Sequence, residues 1–134
     1  MNLDDVMDEI ATRLDTIAGL RCFAWPPGTA TPPAAIVSYP NDYTYDETYG
    51  RGMDRMTLPV VVLVGRPTDR STRDALAQYV NGSGAASVKA VLESGTYTAL
   101  HTLRVMSADF DVYQLGGTDY LAAIFELDIA GQGS

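Results

Sequence analysis

Apolar residues at Leu3, Val6, Met7, Ile10, Leu14 and Ile17 recur every three or four positions, which gathers them on one side of a helix. Asp4 and Asp5 sit where the helix dipole favours acids, and Gly19 is placed to end the element, so the pattern predicts an amphipathic helix over residues 3–18. Its stripe has the width that packs on a sheet. Beyond it the period shortens. Residues 20–25 read as a strand stopped by Pro26, Pro27 and Gly28, and residues 34–39 as a second, stopped by Pro40, Asn41 and Asp42. Residues 53–64 form a long third strand with Met56, Leu58, Val60, Val62 and Val64 on one side and Val61 and Leu63 on the other. Such a run needs cover on both faces. Pro59 has no amide hydrogen, which predicts a bulge or the point where this strand parts from a neighbour.

Ser71 is placed to cap a helix over residues 71–80 that turns Leu76, Tyr79 and Val80 inward, and a shorter helix over 85–93 presents Val88, Val91 and Leu92. A strand over 100–106 follows. Residues 109–115 and 118–129 then flank Gly116 and Gly117, a pair suited to the positive backbone angles of a tight hairpin. With Leu115 opposite Thr118, Val112 faces Leu121, Phe110 faces Ala123 and Ala108 faces Phe125, all on one apolar face. The other face carries Asp109 and Asp111 on one strand and Tyr120, Ala122, Ile124, Glu126 and Asp128 on its partner. Leu103 and Val105 have the opposite parity to Phe110 and Val112, so a bulge is required near Ser107. Residues 131–134 read as a polar tail. The expected fold is α+β, an α/β sandwich: one domain over residues 1–134, with a mixed, largely antiparallel sheet flanked by an N-terminal helix and two short helices, and a C-terminal β-hairpin.

A chain of 134 residues buries enough core to fold without disulfides or a metal. The single cysteine, Cys22, lies among apolar neighbours and reads as an inert, buried small hydrophobe. Acids at Asp4, Asp5, Asp8 and Glu9 occupy the place of a leader's positive charge, and the longest aliphatic run spans 60–64, so neither a standard leader nor a membrane span is expected. Net charge is −8, and the basic residues are scattered, which disfavours grip on a phosphate backbone. His101, the only histidine, has no nucleophile beside it in sequence. Gly50, Gly52, Gly82 and Gly84 fit no phosphate loop, and Asp42, Asp46, Glu47 and Asp54 lack calcium-loop spacing and read as a solvated loop. No enzyme class, cofactor or metal is expected. The connector over residues 42–55 is polar yet rich in tyrosine and arginine, with Tyr43, Tyr45 and Tyr49 on one face of an extended ribbon. Tyr43, Tyr45, Tyr49, Arg51 and Arg55 are therefore the candidate partner interface.

The segments PPAAIVSYP, YGRGMDR, LPVVVLVGR, SVKAVLE and GGTDYLAAIFELDIAG occur in this order over residues 20–131. Together they resemble the tail terminator proteins of siphophages, especially those of actinobacterial hosts. The resemblance implies a structural virion protein in the tail and neck, assembled in the host cytoplasm, with six copies forming a ring. Such a ring caps the head-proximal end of the tail tube, ends its growth and offers a joining surface to the head connector. Its partners are then the tail tube protein and a connector or stopper protein, while DNA passes through the channel without specific binding. Another neck component, such as a head-tail stopper, is the competing reading; a small-ligand domain or enzyme using His101 and the acidic connector is a third.

Overall fold

The computed structural model describes residues 3–17, 20–24, 33–40, 42–44, 53–66, 70–84, 87–115 and 117–132. In chain order the elements are α1 (Leu3–Leu14), β1 (Arg21–Phe23), β2 (Ala34–Val37), β3 (Asp42–Thr44), β4 (Met53–Gly65), α2 (Arg70–Val80), α3 (Val88–Glu93), β5 (Thr102–Leu115) and β6 (Thr118–Gln132). They build one mixed sheet in the order β1-β2-β4-β6-β5, with β3 also pairing β4. Among the described strands only β1 and β2 pair in parallel. The α+β class and the closing hairpin are as the sequence predicts.

All three helices contribute side chains to one core, formed with Ala35 and Val37 of β2, the even positions of β4 from Met56 to Val64, and the odd positions of β6 from Ala123 to Ile129. Val6, Ile10 and Leu14 have no exposed surface, so the α1 stripe faces the sheet as its spacing requires. The opposite face of the sheet holds a smaller cluster of Ile36, Val61, Leu63 and Ala122, bordered by the half-buried Phe23, Tyr113, Tyr120 and Ile124. β4 is thus covered on both sides.

Polar side chains lock the helices in place across long sequence separations. Arg13 of α1 donates from Nε to the Val91 carbonyl at 2.9 Å and from a terminal nitrogen to Ser94 Oγ at 3.0 Å. Tyr97 adds its hydroxyl to the Leu92 carbonyl at 2.6 Å, so the last carbonyls of α3 are satisfied from outside the helix. Burial pushes the Tyr97 phenol up to about 12, against the nearby Arg13 cation and with help from Glu9. The Glu9 carboxylate accepts from the amides of Thr98 at 2.7 Å and Ala99 at 2.6 Å and from the Thr98 hydroxyl at 3.0 Å. Burial raises the Glu9 pKa, but these three bonds outweigh it and hold the carboxyl below its ordinary value.

Two irregularities have plain causes. Met106 is the unmatched residue of a bulge between Val105, opposite Leu127, and Ser107, opposite Glu126, where the parity argument demands one. Pro59 sits at a seam: β2 ends at Val37, opposite Val60, and β3 begins at Asp42, opposite Thr57. The Pro59 carbonyl accepts from the Ser38 amide at 3.1 Å, so its missing donor also points to that interrupted side. One expectation is corrected: Gly131 is not in a tail but in β6, opposite Asp54, because the long β4 offers it a ladder.

Candidate assembly surface

β5 and β6 form a hairpin longer than the helices that cover it. α3 lies against β5, where its Glu93 takes the Val105 amide, while α2 packs on β4 and β6. The distal half of β5 is therefore left bare on the helix side. Phe110 is 55% exposed and Val112 51%, although they face Ala123 and Leu121 in the predicted register. Met106, at the bulge, is 48% exposed. These three are most of the large exposed apolar residues among those described, the other being Tyr39. Apolar side chains on an edge strand are a pairing hazard unless a partner covers them.

The same edge is guarded at two points by carboxylates. The Val105 amide donates to Glu93 Oε2 at 3.0 Å, and the Val112 amide to the carboxylate of its neighbour Asp111 at 2.7 Å. Lys89, one helical turn before Glu93, holds that carboxylate in an ion pair. The Lys89 bond foremost, then the Val105 amide, keep the Glu93 carboxyl below its ordinary value.

On the other face of the hairpin Asp109 and Asp111 stand exposed on β5, and Glu126 and Asp128 are half-buried on β6. Arg55 bonds Asp128 across the β4–β6 ladder at 3.0 Å. It is thus tied within the chain, in a half-exposed pair of the kind worth about 0–1 kcal/mol. Of the other interface candidates, Tyr43 takes a backbone place in β3 opposite Met56, and Tyr45, Tyr49 and Arg51 lie outside the described residues. Asp54, read from sequence as a loop acid, is 4% exposed in β4. Asp42 pairs with β4 and accepts the Thr57 amide at 3.0 Å, while Asp46 and Glu47 lie outside the described residues.

Cys22 is half-buried in β1, and burial, with Asp15 adding, pushes its thiol up to about 12. At neutral pH that sulfur is a thiol. His101 is exposed just before β5, and its amide donates to the Ala130 carbonyl at 2.8 Å. Among the described residues no three His, Cys, Asp or Glu side chains gather as metal ligands do, and no helix is long and apolar enough to cross a membrane. The exposed β5 edge lies outside the connector residues that the sequence pattern singles out as a candidate interface. The signal was present in the mismatch between a long hairpin and two short helices. No protein-family model matches this chain, and no curated protein matches it in sequence.

Proposed function

We propose that this chain is a structural virion protein, a siphophage tail terminator that caps the head-proximal end of the tail tube and ends its growth. The observation that carries the reading is the β5 edge, where Met106, Phe110 and Val112 stand exposed on an otherwise well-packed sheet. A domain of this kind is suited to repetitive edge contacts, which a ring subunit needs. The ordered resemblance along residues 20–131 supplies the particular role, and the connector over residues 42–55 remains the second candidate contact, toward the tube or a neighbouring subunit. The acidic excess, repeated around a ring, would repel passing DNA and keep the channel free of adhesion.

The test is deletion of the gene from the phage that carries it, followed by electron microscopy of the lysate. Tails of uncontrolled length beside unjoined heads are expected. Normal-length tails that attach to heads would refute the reading, and normal-length tails that fail only at joining would assign the chain to the stopper instead.

A further inference from the structure

The sheet has two margins. On β5, Leu115 faces Thr118 across a two-residue turn and so exchanges both backbone bonds with it; inward amides then recur at Tyr113, Asp111 and Asp109. The outward ones belong to Gln114, Val112, Phe110 and Ala108. The Val112 amide is taken by Asp111 and, across the bulge, the Val105 amide by Glu93. Between these stops the amides of Ala108 and Phe110 have no acceptor among the described residues. The edge is closed at both ends of a short open window.

The opposite margin is β1. The Arg21 amide donates to the Pro33 carbonyl at 3.2 Å, so the next residue, Cys22, turns its backbone groups away from β2. Among the described residues no strand pairs that side, and an open cleft lined by Asp8, Ala11, Thr12, Asp15, Cys22 and Ala24 lies beside it. β1 has three residues, a length that suits the window on β5.

Following the pairings across the sheet, β1 and β5 run in opposite directions. Copies repeated about an axis along the strands therefore bring β1 of one antiparallel to β5 of the next, with every helical layer on the same side. We propose that β1 of one copy pairs with the 108–111 window on β5 of a second copy, Cys22 opposite Phe110. This rests on the ring reading above and names its subunit joint. Cys22 and Phe110 then share the helix side of the extended sheet, since Cys22 is opposite Ala35 and Phe110 opposite Ala123. Arg21 comes opposite Asp111 on the other face, with Asp109 two residues away. All three are exposed, and none has an oppositely charged partner among the described residues. A parallel joint would put Cys22 on the face of Asp109 and turn alternate helical layers to opposite sides, which a ring cannot repeat.

The experiment is Phe110→Cys in the otherwise unaltered chain, which then has two thiols. Within one copy they lie four strand spacings apart, about 19 Å, too far for a disulfide. Between copies the paired backbones would stand about 5.5 Å apart, within disulfide range. Mild oxidation of concentrated protein, alone and on purified tail tubes, should give a ladder of covalent multimers that Cys22→Ser abolishes. In the Phe110→Cys chain, Arg21→Asp or Asp111→Arg should slow the ladder at least tenfold, and the two together should restore it. The same charge swap in the chain with Phe110 intact, read by light scattering and tube capping, tests the joint without the new thiol. Tube capping without a ladder, or a ladder indifferent to the charges, overturns the joint and leaves the terminator reading standing. An unaltered chain, with Phe110 in place, that does not cap tubes overturns both.

Discussion

Ile10→Ala tests whether α1 is cemented to the sheet. Ile10 has no exposed surface and belongs to the core shared by α1, the sheet and the other two helices. The substitution removes three buried carbons at ~0.8 kcal/mol each, about 2.4 kcal/mol of transfer free energy. The helix is poorly able to settle into the space left behind, because Arg13 binds it to α3 and Glu9 binds it to Thr98 and Ala99. A residual void of about 50 Å³ adds ~1.2 kcal/mol, so a loss of about 3 to 4 kcal/mol is expected. Urea unfolding followed by circular dichroism should show the midpoint falling by roughly 1 to 3 M at an unchanged slope. A loss below about 1 kcal/mol would refute the reasoning, since it would mean that the α1 stripe is not the closed face described.

Glu9 and Glu93 both have pKa values below the ordinary carboxyl in the folded chain, so between the folded and unfolded values the unfolded state binds more protons. Their stabilisation is complete above the unfolded value and is lost as pH falls through the folded ones; Glu9→Gln should flatten the acid limb of the stability curve, and an unaltered limb would count against the clamp. A Cβ on Gly65 would meet Thr72 Oγ1 at 2.5 Å, and Thr72 is itself buried, so Gly65→Ala should cost about 1 to 3 kcal/mol in thermal melts, an unshifted melt being the adverse result. His101→Ala should change stability by less than about 0.5 kcal/mol and leave tube capping intact, because its hydrogen bond is through the backbone; loss of capping would restore a role for the imidazole.

The parts of the fold legible in the sequence are those governed by period and parity. The hairpin register and the bulge at Met106 follow from which side chains must share a face, and the α1 stripe follows from its spacing. What parity does not contain is where cover ends. Phe110 and Val112 lie on the core face yet remain bare, because burial depends on the reach of α2 and α3 over the hairpin. Pairings over long separations were equally invisible: Glu9 meets residues 98 and 99, and Arg55 meets Asp128, through a topology that no local pattern encodes. The exposed β5 edge is therefore visible only in the folded chain.

The Pro59 seam divides one margin of β4 into two ladders that need not melt together. Because Pro59 itself donates no hydrogen bond at the junction, the short β3 segment can detach from residues 55–57 while β2 stays zipped to residues 60–63. Amide exchange should accordingly split along β4, slow for Val61 and Leu63 beside β2 and faster for Thr57, whose amide leans on the Asp42 carboxylate. The margin that carries the tyrosine-rich connector thus has a built-in perforation line. It lets residues 42–44 part from β4 without loosening the pairing of β2 with β4.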